Sequence, residues 1–158
     1  MSYVAAGPIF TDGRLALAGY QPSKSCITGI GGKAEEGEIP IMTAMREFIE
    51  EIYCCAAPGL LITQLAVAVS PRRRLLAGDY ELLEYNFDDL EQLLGVVASA
   101  ELESPAYSRM PRTLIELILW RVPPKEAEVH CLSLIPLGCD IGTEFIADGQ
   151  LILGWNDN

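Results

Sequence analysis

Histidine is nearly absent from this chain, with His130 the only one. The five cysteines, Cys26, Cys54, Cys55, Cys131 and Cys139, are odd in number and form no CxxC pair. A Cys/His zinc site therefore has little material, and reduced, mostly buried thiols are expected rather than a disulfide framework. No apolar run reaches the ~18–20 residues that span a bilayer. The start, Met1-Ser2-Tyr3-Val4, lacks the basic opening of a signal peptide. These absences lead to an expected cytoplasmic protein with no membrane partner. Basic residues are also scarce: 11 Lys and Arg stand against 22 Asp and Glu, a formal net charge of −11. Broad nucleic-acid binding needs a positive field, so that partner is disfavoured. A phosphorylated small molecule is not disfavoured, because a bound metal ion can supply the positive charge.

What is present is a strong apolar pattern. Half of the 158 residues are hydrophobic, enough for one sizeable core, and no internal repeat or linker divides residues 1–158. Strands are expected over residues 3–10 and 15–20, joined as a β-hairpin by the Thr11-Asp12-Gly13-Arg14 turn. Pro8 points to an edge position or a bulge. A short strand over 25–30 precedes the Gly31-Gly32 loop. Residues 60–69 read as one or two buried strands, and residues 75–83 as a further strand around Gly78-Asp79. Asn86 is placed to cap a short helix that Gly95 would stop. Residues 101–109 are polar and loop-like, and residues 111–122 read as a helix. Strands are expected over 128–136 and over 144–155, the latter turning at Asp148-Gly149. The sum is a mixed α and β chain with helices packed on a mixed sheet.

Residues 70–74, Ser-Pro-Arg-Arg-Arg, form the one dense basic run. Read as a loop, it either offsets nearby acids at a solvated turn or meets phosphate, with Arg72 the substrate-binding candidate.

The chemistry concentrates in residues 29–54, GIGGKAEEGEIPIMTAMREFIEEIYC. With Pro40 in the first helical turn, where its missing N–H costs nothing, residues 40–53 form one helix. Met42, Met45, Ile49 and Ile52, widened by Phe48, make its apolar stripe. Glu47, Glu50 and Glu51 then project from one face at i, i+3 and i+4. Like charges at that spacing repel. Such a face is either solvated or built around a hard cation, since Mg2+ and Mn2+ prefer carboxylate oxygens.

The spacing is specific. Gly32 is followed after five residues by Glu38, and after seven more by Arg46-Glu47-Phe48-Ile49-Glu50-Glu51-Ile52-Tyr53-Cys54. This resembles the Nudix box, G-x5-E-x7-R-E-U-x-E-E-x-G-U with U apolar, over 23 residues. One position departs: Tyr53 stands where the family has glycine. A glycine there closes the helix in the left-handed conformation, so with Tyr53 either the helix runs on toward Pro58-Gly59 or the turn is reshaped.

The resemblance implies an α/β/α sandwich with a mixed sheet. It also implies a pyrophosphohydrolase, which uses Mg2+ or Mn2+ to split a nucleoside diphosphate linked to another moiety. Carried over by position, Glu47, Glu50 and Glu51 are the implied metal ligands, with a carbonyl of the Gly31-Gly32 loop completing the set. Glu47 would also orient or deprotonate the water, and Arg46 would orient its neighbouring glutamate. Glu38 is implied as a ligand or a loop brace, and Gly32 lies beside the substrate. A further acid often comes from a loop beyond the box. Asp88, Asp89, Glu91, Glu101 and Glu103 are candidates, with Glu101 and Glu103 ranked first for their loop-like segment. Pro71, 17 positions after Cys54, is similar to a proline that marks the ADP-ribose subgroup. A nucleotide sugar such as ADP-ribose is therefore the expected substrate. The alternatives are a nucleoside triphosphate, a capped RNA, or a nucleotide-binding module without turnover. Homodimers are common among such proteins.

Overall fold

The computed structural model describes residues 3–138. The element order is β1 (Ala5–Phe10), β2 (Leu15–Gln21), β3 (Cys26–Thr28), β4 (Gly32–Lys33), α1 (Pro40–Tyr53), α2 (Gly59–Ala68), β5 (Arg73–Ala77), β6 (Tyr80–Tyr85), α3 (Phe87–Ser99), α4 (Leu114–Leu119) and β7 (Leu132–Pro136). The expected strands over 144–155, and Cys139, lie outside the described residues.

One sheet is mixed, in the order β4-β1-β6-β5, and a second is antiparallel, in the order β3-β2-β7. β1 runs parallel to β6, from Ala5 opposite Tyr80 to Phe10 opposite Tyr85. Helices pack on this framework, so the mixed α/β architecture is the one expected.

The opening hairpin is not formed as expected. The turn at residues 11–14 is present, but β1 and β2 enter different sheets and share only the Thr11–Ala16 bridge. Both strands are buried almost throughout, so neither carries the alternation that would announce its neighbour. Pro8 sits in a strand that is central in sheet order. β4, however, pairs only with Ala5 and Ala6, which leaves β1 an edge from Gly7 onward. The two sheets meet where Ile9 and Leu82 pack on Ala16 and Ala18.

α1 begins at Pro40, its first helical residue. Met45, Phe48, Ile49 and Ile52 are fully buried, each contributing about 1.5–3 kcal/mol by transfer from water. They hold α1 against β1 and α2. The segment expected as strands over 60–69 is instead the helix α2. Its run is apolar all round, so periodicity could not separate a helix from a buried strand. Only Leu61, Ile62 and Leu65 are buried, while Leu60 and Val67 face out.

α3 starts at Asn86 with a reciprocal cap from Asp89, as the N-cap reading expected. It does not stop at Gly95 but runs to Ser99. A mid-helix glycine costs only about 1 kcal/mol, and Leu93, Leu94 and Val97 are buried around it. α4 is shorter than the expected 111–122, because Thr113 and Glu116 set its capped start after Pro111. β7 begins at Leu132, later than the expected 128. Arg73 and Arg74 belong to β5 rather than a loop, paired with Glu84 and Glu81 of β6. The hairpin of β5 and β6 turns at Gly78-Asp79.

α1 neither runs on nor ends at a glycine. Tyr53 stays helical and fully buried, and Cys54 takes the left-handed position at φ 57°. The ring of Tyr53 packs 5.9 Å from Phe48 and 5.7 Å from Tyr107. The turn is thus reshaped by one residue, and the side chain that would strain it is used as core.

Candidate functional site

The site is built on the solvent side of α1, opposite its apolar stripe. Arg46, 6% exposed, is its centre. Its Nε donates to Glu38 Oε2 at 2.8 Å, its Nη1 to Glu47 Oε1 at 2.9 Å and Glu50 Oε2 at 3.0 Å, and its Nη2 to the Lys33 carbonyl at 2.7 Å. The planar fork of a guanidinium suits such divergent acceptors, where an ammonium would not. Glu38 also accepts from Thr43 Oγ1 at 2.9 Å and from the Glu35 N–H at 2.7 Å. Burial would raise the Glu38 carboxyl, but the bonds from Arg46, Glu35 and Thr43 outweigh it and hold the group below the usual carboxylate range.

The Gly31-Gly32 loop closes over this network. The Gly31 N–H donates to Glu51 Oε1 at 2.9 Å. A Cβ on Gly32 would lie 2.4 Å from Glu47 Oε1. Gly31 has φ +154°, and a Cβ there would meet the Tyr80 hydroxyl at 2.4 Å. Gly31 needs glycine for close approach, since backbone atoms of Ala6 and Gly7 also lie at 2.9 Å, whereas at Gly32 the neighbour is the movable end of the Glu47 side chain.

Glu51 is 8% exposed. Burial is the largest influence on its carboxyl; the Gly31 N–H opposes it and the charges of Glu47 and Glu128 reinforce it, so the group is pushed up to about 9. Glu47 is raised as well, first by burial, against the pull of Arg46. Glu47, Glu50 and Glu51 together border one cleft. This donor set of carboxylate oxygens fits a hard divalent cation in chemical type. In the present arrangement, no three acidic, thiol or imidazole side chains among the described residues are gathered as a metal-holding group. Arg46 holds Glu47 and Glu50, and the Gly31 N–H holds Glu51.

Two cavities open on these carboxylates. One, of about 500 Å³, is bordered by Glu47, Glu50, Glu51, Cys54, Pro105 and Glu128. The other, of about 650 Å³, is bordered by Gly31, Gly32, Glu47, Tyr80, Lys24 and Lys33. Glu47 and Glu128 border both.

No protein-family model and no curated protein matches this chain. Among solved structures it is similar to a bifunctional NMN adenylyltransferase/ADP-ribose pyrophosphatase from Francisella tularensis, complexed with AMP and a manganese ion. The identity is 14% and the TM-score 0.45, over 96% of this chain and 37% of that one. It is also similar to a NUDIX-family hydrolase from Clostridium perfringens, at 10% identity and a TM-score of 0.44, over 96% of this chain and 97% of that one. The chain thus spans well under half the length of the Francisella protein.

The downstream candidates fall elsewhere. Asp89 caps α3 and pairs with Arg72 at 2.9 Å. Arg72 is therefore turned to Asp89 and borders neither cavity, as at a solvated turn that offsets acids. Glu91 accepts from the Leu114 N–H at 2.9 Å, tying α4 to α3. Asp88, Glu101 and Glu103 are exposed and border neither cavity. Glu38 likewise borders neither; its side chain accepts from Arg46 Nε and Nη2, Thr43 Oγ1 and the Glu35 N–H, four bonds that brace the loop on α1. Two downstream acids do border the smaller cavity, Glu126 and Glu128; Glu128 alone of the two also borders the larger one, and its Oε1 accepts from the buried Gln21 side chain at 2.8 Å. In the sequence Glu128 stands at the start of the strand expected over 128–136, whereas β7 begins only at Leu132. Its one signal was a short polar stretch between Pro123-Pro124 and an apolar run.

Arg121 was also missed. It is 8% exposed, and its guanidinium donates to the carbonyls of Glu51 (3.0 Å), Ile52, Val129 (2.8 Å) and His130. With Ser104 Oγ on the Tyr53 carbonyl at 2.5 Å, it satisfies the last turn of α1, where a glycine cap would otherwise serve.

Proposed function

We propose that the chain is a divalent-cation-dependent hydrolase of the Nudix type, which splits the diphosphate of a nucleoside diphosphate joined to another moiety. The observation that carries this reading is the Arg46 network. It joins the charged positions of the motif, Glu38, Glu47 and Glu50, beside a glycine loop bonded to Glu51.

Glu47, Glu50, Glu51 and a carbonyl of Gly31 would hold Mg2+ or Mn2+, with Glu128 facing them. When bound, the cation neutralises the diphosphate, polarises phosphorus and lowers the pKa of water. The chain's own groups do the rest. Arg46 aims the carboxylates of Glu47 and Glu50 into the cleft. Gly32, having no Cβ, lets the loop close on Glu47. Glu47 borders both cavities and is the group best placed to orient or deprotonate the attacking water. Lys24 and Lys33 bring positive charge to the larger cavity, which has room for the organic part of a nucleotide-derived ligand. ADP-ribose is the first substrate to test.

A binding module of the same fold is the second reading. It is favoured by the bonds that occupy these carboxylates, Arg46 on Glu47 and Glu50 and the Gly31 N–H on Glu51. A panel of nucleoside diphosphate derivatives with Mg2+ or Mn2+, run on wild type and Glu50→Gln, separates the two. The hydrolase reading expects turnover by wild type and a loss on the order of 10²-fold or more in the variant, since even outer-shell metal partners are worth about 10–100-fold. Ligand binding without turnover on any substrate would establish the module instead. Full activity of Glu50→Gln would remove Glu50 from the metal set.

A further inference from the structure

Arg121 is a buried cation whose hydrogen bonds go to carbonyls from two separate stretches of chain. Glu51 and Ile52 lie in the last turn of α1; Val129 and His130 directly follow Glu128. A further contact runs to Cys54 Sγ at 3.7 Å, and the guanidinium lies over the Tyr107 ring at 5.8 Å. On its other side the same stretch is tied to β2, through the His130 N–H on the Tyr20 carbonyl at 2.8 Å and Gln21 on Glu128. Thus β2 sets the stretch against the sheet, and Arg121 sets it against the helix that carries Glu47, Glu50 and Glu51.

We propose that Arg121 is a positioning residue that registers the Glu128 stretch against the last turn of α1. Glu128, the acid from outside the helix that borders both cavities, is thereby held in place relative to the three upon it. A side chain needed only to fill space would not require a guanidinium, whose fixed fork can reach four carbonyls at once. The charge also lies at the helix C-terminus, where the macrodipole favours a cation. The functional meaning of Glu128 rests on the hydrolase reading; the registration of its backbone does not.

The test uses Arg121→Lys, which keeps the charge and loses the fork. In hydrogen–deuterium exchange, the peptides covering residues 50–55 and 127–131 should speed up together by about tenfold while the rest of the chain holds its rates. Unchanged rates at these two peptides, or a uniform rise everywhere, would overturn the proposal. Mn2+ titration adds a readout that general destabilisation would not move. Glu128→Gln should weaken Mn2+ binding about tenfold in wild type and have little effect in the Arg121→Lys background, because coupled sites are non-additive. Equal effects in both backgrounds would show that Arg121 does not act through Glu128. A wild-type protein that takes up no Mn2+ would remove the hydrolase reading and leave exchange to decide Arg121. Should Arg121→Lys not fold, a single glycine inserted between Glu128 and Val129 should abolish the Glu128→Gln effect, and the same insertion between Lys125 and Glu126 should preserve it. The reverse result would refute registration through Val129 and His130.

Discussion

Two buried arginines serve the same helix in different ways. Arg46 lies among full negative charges, those of Glu38, Glu47 and Glu50, with Glu35 at 3.8 Å. Arg121, at the C-terminal end of α1, has carbonyl dipoles as its hydrogen-bond acceptors apart from Cys54 Sγ. The first arrangement permits several acids to stand close together, each oriented by one cation. The second stabilises a helix end and fastens a distant stretch to it. Both guanidiniums are desolvated, and in each case the cost of burial is offset by several bonds. The difference lies in what each cation leaves for chemistry: Arg46 presents carboxylates to a cleft, whereas Arg121 presents nothing and fixes a distance.

The largest break in this comparison is expected from Arg46→Met. It leaves Glu38 and Glu47 half-buried without their cation, and one-sided removal of a buried pair costs about 3–5 kcal/mol. Urea denaturation should report that loss, with hydrolysis falling in parallel. Arg121→Met should cost less, about 2–3 kcal/mol, since it orphans neutral carbonyls rather than charges. A larger loss for Arg121 than for Arg46 would invert the contrast. Tyr53→Phe sharpens the account of the helix end. The Tyr53 hydroxyl is buried without a partner, so its removal should be neutral or stabilise by up to about 1 kcal/mol, read as a higher Tm. Gly32→Ala should cost about 1 kcal/mol or less of stability, because a flexible Glu47 can move aside. It should cost more in kcat, since the carboxylate that moves is the one bordering both cavities. The smallest effect is expected from Arg72→Ala. Its guanidinium is largely exposed and remote from the cleft, and the buried Asp89 keeps its bond from the Asn86 N–H, so little is lost. Turnover and Tm should both match wild type; a change in KM would return Arg72 to the substrate site.

The helix over 40–53 was legible because its signals are local. A proline opens it, an apolar stripe recurs at helical spacing, and charged residues occupy the opposite face. The grouping of Arg46 with Glu50 follows from the same spacing, since residues four apart share a helix face; its bond to the adjacent Glu47 depends on the reach of the two long side chains. α2 was not legible, because a run apolar on every side fits a buried strand as well as a helix. The pairing of β1 and β2 was obscured for a similar reason, both being buried on two faces. Glu128 and Arg121 were hidden more deeply. Neither belongs to a local pattern, and each matters through partners 69 to 107 residues away along the chain.

By itself the sequence determined the charged face of α1, the glycines that must approach it, and the chemistry that four carboxylates and one arginine can support. These rest on helical geometry and on side-chain size, which act over a few residues. Tertiary structure alone decided how the helix ends without its glycine. Cys54 takes the left-handed turn, Tyr53 enters the core, and Arg121 caps the last carbonyls. It also decided which distant acids border the cleft, Glu126 and Glu128. Of the downstream candidates, Asp89 and Glu91 are held by capping and by α4. Glu128 reaches the site because β2 and Arg121 hold its stretch from two sides, a placement that depends on packing across the whole core.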